Sequence, residues 1–305
     1  MLQGFAEERA ALNDGPSNLE PSAVAVWRHP FERCGGAVTV ASGGIYCARI
    51  VQEAKMPFIE NNGVRIHYEV EGEGPPLVMQ HGFSDSMQTW YELGYVAALK
   101  QARQVILVDA RGHGASDKPH DTAAYTKELQ AADVMTVLQH LQINRADYWG
   151  YSMGGRIGFA LAQFAPDCFR SFIIGGAAGD GRSRIGDAFR KSLQTGGANA
   201  IPGLWGVPLP PALSARLIAN DVRALAACRA DSLGFASVLP TMTMPCLVYA
   251  GSADPILPVV EATVAEMPRV TVFTLPGLSH AEAFLRSDLV LPHVTQFLDS
   301  VVSVR

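Results

Sequence analysis

Ser152 sits in WGYSMGGRIG, residues 149–158, with a glycine two positions away on either side. ADYW before it reads as a strand, and GGRIGFALAQFAPD after it reads as a helix. A direct strand-to-helix turn brings backbone atoms close together. A β-carbon at the flanking positions would collide with neighbouring chain, and glycine has none. The residue at the apex is held strained, with its side chain exposed. A serine there can serve as a nucleophile toward a carbonyl carbon. The helix opening at Met153 also directs backbone N–H groups and its positive dipole end toward that serine.

A serine hydroxyl is a weak nucleophile and needs a base. Of the eight histidines, His280 in LPGLSHAEAF is the best placed, after the last strand and before the C-terminal helix. Loops at the carboxyl ends of strands are where an open α/β sheet builds its site. The base needs an acceptor that fixes its tautomer and stabilises the imidazolium. Asp254 in YAGSADPI follows another strand and fits that role. Asp180 in GGAAGD is the rival, but a long insertion begins right after it. Taken singly, a surface histidine and a turn aspartate ahead of Pro255 are ordinary features. Together with Ser152, at three strand ends, they form a joint signal. The oxyanion of an acyl-transfer reaction needs preorganised donors. The backbone N–H of Met153 and that of Phe83, in the loop after LVMQHG, are the candidates. His81 and His113 read as residues that shape loops.

These residues need a scaffold that brings strand ends together. VRIHYEV (64–70) alternates like a half-buried strand, and PPLVMQHG (75–82), QVILVDARGHG (104–114), ADYWGY, FRSFIIGGAAG (169–179), PCLVYAG (245–251) and RVTVFTL (269–275) carry apolar strands. Between them, 88–100, the segment from Lys127, the stretch after Ser152 and 256–267 read as helices; the chain closes with helix interrupted near Pro292. Apolar strands alternating with helices predict an α/β fold with a mostly parallel sheet covered on both faces. The first strands have no helix between them, so that edge is expected to be antiparallel. Residues 181–240 interrupt the alternation and are too long for a simple connection. They read as an inserted helical lid, or cap, above the carboxyl edge. Leu204, Trp205 and Phe235 in and near this interval are candidate walls of an apolar substrate pocket.

The composition is that of a soluble globular chain with a large core: 305 residues, 48% hydrophobic and 17% charged. A net charge of −5, with no basic cluster, gives no reason to expect nucleic acid or an anionic membrane as partner. Five cysteines at long spacings include no C-x-x-C pair, which argues against a zinc or redox motif. Cys168 and Cys246 are expected to be buried thiols, and a reducing cytoplasmic setting fits. No apolar segment is long enough to span a membrane.

The chain from Met56 onward resembles the α/β-hydrolase-fold serine hydrolases. The matching pieces are QHGF (80–83), DARGHGASDKP (109–119), GYSMGG (150–155), GSADPILP (251–258) and GLSH (277–280). The order Ser152, Asp254, His280 is that of the family. The resemblance implies an eight-stranded sheet with a helical cap, catalytic roles for those three residues, and oxyanion donors at Phe83 and Met153. It implies no metal and no organic cofactor. The similar members are small esterases, enol-lactonases, perhydrolases and carbon–carbon bond hydrolases. Haloalkane dehalogenases and epoxide hydrolases carry aspartate at the elbow instead. The expected activity is cleavage of small carboxylic esters or lactones through an acyl-enzyme. Carbon–carbon hydrolysis or perhydrolysis by the same triad is the alternative. For a dianionic carbon–carbon substrate, Arg156, Arg182, Arg184 and Arg190 are possible charge partners. A reading of another class is a ligand-binding receptor without turnover. Oligomeric state is left open.

Residues 1–55 carry no sustained period and match nothing in the family. They are expected to form a poorly ordered N-terminal extension ahead of a hydrolase domain at 56–305, with Met56 a possible true start.

Overall fold

A computed structural model describes residues 58–179, 193, 195–228 and 234–302. The expectation for residues 1–55 lies outside them, as do Asp180, Arg182, Arg184 and Arg190.

Eight strands form one open sheet: β1 Phe58–Asn61, β2 Val64–Glu71, β3 Pro76–Gln80, β4 Gln104–Val108, β5 Ala146–Tyr151, β6 Phe169–Gly175, β7 Cys246–Gly251 and β8 Val270–Leu275. Their order is β1-β2-β4-β3-β5-β6-β7-β8. β1 pairs antiparallel with β2, and β2 antiparallel with β4; all later pairings are parallel. The antiparallel edge is therefore where the missing helix placed it. β1 was not legible as a separate strand, because Asn61 and Asn62 close a four-residue segment too short to show a period.

The central strands are apolar on both sides because each side carries its own core. Side chains alternate across a strand, so in β5 Tyr148 enters one core while Trp149 and Tyr151 enter the other. In β3, Val78 and the pair Leu77 and Met79 divide in the same way. Helices α3 (Lys127–His140) and α4 (Met153–Phe164) supply residues to the first core. Helices α1 (Gln88–Glu92), α2 (Tyr95–Leu99) and the two at the C-terminus, α9 (His280–Leu285) and α10 (Ser287–Val302), supply the second. There Trp90, Tyr95, Trp149 and Phe284 meet edge to face, with centroids 4.9–5.1 Å apart in the Trp90–Trp149, Trp90–Phe284 and Tyr95–Trp149 pairs. Burial of each of these aromatics contributes on the order of 3 kcal/mol. This cluster fixes α9, whose first residue is His280.

Three local expectations are corrected. The helix read over 88–100 is two short helices, split at Gly94, whose φ of 79° ends the first turn run. Pro292 does not break the C-terminal helix. It lies inside α10, and the break falls at Arg286 (φ −94°, ψ 64°). A proline inside a helix costs about 3 kcal/mol. Here burial of Val290, Val294 and Leu298 on the sheet face offsets it. Cys246 is buried as expected, but Cys168 is only half-buried, in the turn leading into β6.

Between β6 and β7 the described residues carry α5 (Ile201–Leu204), α6 (Pro211–Ile218) and α7 (Val222–Cys228); α8 (Leu257–Ala265) joins β7 to β8. Cys228 at the end of α7 lies 3.9 Å from Met153, and Asn220 just after α6 donates to the Ser84 carbonyl, so α6 and α7 pack over the carboxyl edge near the elbow. Among the described residues no helix is long and apolar enough to cross a membrane.

Candidate active site

Parallel pairing puts the carboxyl ends of β3, β5, β6, β7 and β8 at one edge, and the loops leaving them converge. Ser152 stands between β5 and α4 with φ 53° and ψ −109°, a conformation that a non-glycine residue rarely holds. The flanking glycines are required by close approach. A β-carbon on Gly150 would lie 2.3 Å from Gly154 backbone, and one on Gly154 would lie 2.2 Å from the Gln80 carbonyl oxygen. The Ser152 amide donates to the Gly175 carbonyl at 2.7 Å, which ties the turn to β6.

His280 Nε2 lies 3.0 Å from Ser152 Oγ, and His280 Nδ1 lies 2.6 Å from Asp254 Oδ2. The Asp254 side chain is fully buried while that of His280 is 30% exposed, so the ring is backed by the carboxylate and open toward the serine. Asp254 Oδ1 also accepts from the Ile256 amide at 3.0 Å, which fixes the carboxylate plane. The two loops are laced together: Ala253 N–H donates to the Leu278 carbonyl, and Ser252 N–H to the Leu275 carbonyl. His280 opens α9, where Ser279 and Glu282 form a reciprocal capping box. Asp180, the rival acceptor, lies outside the described residues.

The loop after β3 runs against the serine; a β-carbon on Gly82 would stand 3.5 Å from that of Ser152. Phe83 and Met153 are both buried there, at 7% and 8% exposed. Met153 is the first residue of α4, where helix amides have no intrahelical acceptor. His81 shapes this loop. Its Nδ1 donates to the Gly82 carbonyl at 2.7 Å, and its Nε2 accepts from the Ala110 amide at 3.1 Å. The Gly82 carbonyl belongs to the same peptide as the Phe83 N–H, so His81 sets that amide's direction.

Leu204 and Trp205 are partly buried and pack against the core. Phe235 is corrected from pocket wall to core: it is fully buried, stacked on Phe159 with centroids 5.9 Å apart. Arg156 lies over the Phe235 ring at 5.2 Å and donates to the Ala178 carbonyl.

Two residues escaped sequence reading. Tyr151 stacks on Phe284 at 4.7 Å and donates its hydroxyl to the His280 carbonyl, so the residue before the serine holds the histidine's backbone. Asp109 accepts from the Met87 and Ala115 amides and from His67 Nδ1, joining the loops after β3 and β4. Both lie in stretches the sequence singled out, but their roles depend on partners distant in sequence, Phe284 and His280 for Tyr151 and His67 and Met87 for Asp109. Among the described residues no cluster of His, Cys, Asp or Glu could hold a metal ion.

His113 is fully buried, its Nδ1 3.0 Å from the Arg111 carbonyl and its Nε2 without a partner. Burial, helped by the neighbouring His81, pushes its pKa down to about 3. The unfolded chain takes up this proton near pH 6.5 and the folded one does not, so stability falls as pH drops through that window. The limiting slope is about 1.4 kcal/mol per pH unit. His113→Gln keeps a donor for Arg111 and should flatten the dependence of melting temperature on pH between about 6.5 and 4.5. Equal slopes in variant and wild type would refute this.

A family model described as alpha/beta hydrolase fold matches residues 75–193. The chain is 29% identical over 220 residues to 3-oxoadipate enol-lactonase 2 from Acinetobacter baylyi, covering 65% of this chain and 79% of that protein. It is 36% identical over 118 residues to 2-hydroxymuconate semialdehyde hydrolase from a Pseudomonas species, covering 38% of this chain and 41% of that protein. In structure it is similar to the enol-lactonase from Burkholderia xenovorans LB400, with TM-score 0.72 and 25% identity over 80% of this chain and all of that one.

Proposed function

This chain is an α/β-hydrolase-fold protein, and we propose that it is a serine hydrolase of carboxylic esters or lactones. The observation that carries the proposal is the run Asp254–His280–Ser152, with contacts of 2.6 and 3.0 Å in the order the chemistry requires. His280 Nε2 takes the Ser152 hydroxyl proton as Oγ attacks the substrate carbonyl carbon. Asp254 holds the Nδ1 proton and stabilises the imidazolium. The amides of Phe83 and Met153 receive the oxyanion. His280 then passes the proton to the departing alkoxide, or to the ring oxygen of a lactone. Water enters, loses a proton to the same nitrogen, and releases the acid from Ser152. The steps use protein groups alone. The helices α5 to α7 act as the cap, with Leu204 and Trp205 as apolar contacts for the substrate. The likeness to two enol-lactonases favours a lactone or small ester over other carbonyl compounds.

The test is labelling with a fluorophosphonate, followed by turnover of a panel of aryl esters, alkyl esters and lactones and, separately, of a vinylogous diketone. The expected result is one covalent adduct on Ser152 and turnover of at least one panel member. An unlabelled protein would favour the non-catalytic receptor. Labelling with turnover of only a vinylogous diketone would favour carbon–carbon hydrolysis.

A further inference from the structure

The loop after Phe83 reads Ser84-Asp85-Ser86, and all three residues are buried, Asp85 at 2% exposed. A carboxylate two residues from the proposed oxyanion donor opposes the charge that must develop there, and a low-dielectric setting magnifies the effect. Asp85 is not left alone. Its Oδ1 accepts from Thr89 Oγ1 at 2.5 Å. Arg216 on α6 reaches down to both: Nη2 donates to Thr89 Oγ1 at 2.6 Å and stands 3.8 Å from Asp85 Oδ1. The same guanidinium clasps Glu92 at 2.6 and 3.0 Å. Burial pushes the Asp85 pKa up, and the Thr89 hydroxyl, the Ser86 amide and Arg216 work against that rise.

Four residues beyond Arg216, Asn220 donates from Nδ2 to the Ser84 carbonyl at 2.7 Å and to the Leu217 carbonyl at 3.0 Å. Asn220 lies two residues past the end of α6, so the helix and the turn that leaves it meet the 84–89 segment at two points. Ser84 has φ 65°, a left-handed conformation that a serine keeps only where its surroundings impose it. Asn220 on its carbonyl is such a restraint.

We infer that Arg216 and Asn220 are positioning residues for the reaction: from the inserted helix and the turn that follows it they hold the loop that carries the Phe83 amide, and Arg216 balances the Asp85 carboxylate in that loop. The inference rests on the serine-hydrolase reading. The experiment measures the second-order rate of Ser152 phosphonylation by a fluorophosphonate, with ester kcat and KM alongside. Arg216→Gln should slow phosphonylation and kcat by about tenfold or more, with KM within about threefold. Arg216→Lys, which keeps the charge, should retain most of the rate. Adding Asp85→Asn to Arg216→Gln should recover most of the loss, because the unbalanced charge is gone. Asn220→Ala should lower kcat by about threefold or more, again with little change in KM; it decides the matter if Arg216→Gln does not fold. Unchanged rates, a loss confined to KM, or a double variant as slow as Arg216→Gln would overturn the inference while leaving the hydrolase reading intact. Failure of the wild-type protein to label would overturn the reading and the inference with it.

Discussion

Ser152→Ala is expected to abolish turnover while the protein folds as before. Ser152 Oγ makes its contact with His280 Nε2, and the backbone at φ 53° is imposed by the strand, the helix and the hydrogen bond from the Ser152 N–H to the Gly175 carbonyl. Alanine meets the same steric limits there as serine, so the elbow should persist. The stability change should be about 1 kcal/mol, the worth of one hydrogen bond, which shifts Tm by roughly 2–4 °C in a domain of this size. The kinetic effect is of another order. Without Oγ there is no acyl-enzyme, and kcat on the best panel ester should fall by about 10⁴-fold to 10⁶-fold. The fluorophosphonate adduct should vanish too. A variant that keeps a tenth of wild-type turnover would remove Ser152 from the mechanism.

Asp254→Asn should cost about 10⁴-fold in kcat, through the tautomer of His280 and not through loss of packing. The carboxylate is fully buried and accepts from both His280 Nδ1 and the Ile256 amide. An asparagine oxygen can still accept from Ile256, but its NH₂ then faces Nδ1. A ring nitrogen facing a donor must be unprotonated, which moves the proton to Nε2. Nε2 can then no longer accept the serine proton. KM should move far less than kcat. Asp180→Asn is the control and should stay within about threefold of wild type, as expected of a residue outside the proton path. If Asp180→Asn cripples turnover and Asp254→Asn does not, the acceptor is Asp180.

The parts of the site that were legible share a property: each has a local cause. Gly150 precedes Ser152 because the turn leaves no room for a β-carbon against Gly154, a crowding between near neighbours in sequence; Gly154 is spaced symmetrically after the serine, but its own crowding comes from the Gln80 carbonyl at the end of β3. Apolar runs of strand length revealed seven strands, again through near neighbours in sequence. Asp254 and His280 were found because each directly follows such a run. The split at Gly94 has a local cause, a glycine in the left-handed conformation, that the apolar pattern on either side masked; the uninterrupted passage of α10 through Pro292 was misread because packing on the sheet outweighs local preference.

By itself, the sequence determined the α/β class, the parallel run of strands with its antiparallel edge, and which serine, aspartate and histidine stand at strand ends. Tertiary structure alone decided that these three meet within hydrogen-bonding distance, that Tyr151 and Phe284 hold the histidine's helix, and that Phe235 faces the core. It also decided that Arg216 and Asn220 reach α1 and the loop before it, more than a hundred residues away. The physical reason is range. Side-chain alternation and turn geometry act between neighbours along the chain, whereas hydrogen bonds, aromatic contacts and close packing act between neighbours in space, and only the completed sheet determines which residues those are.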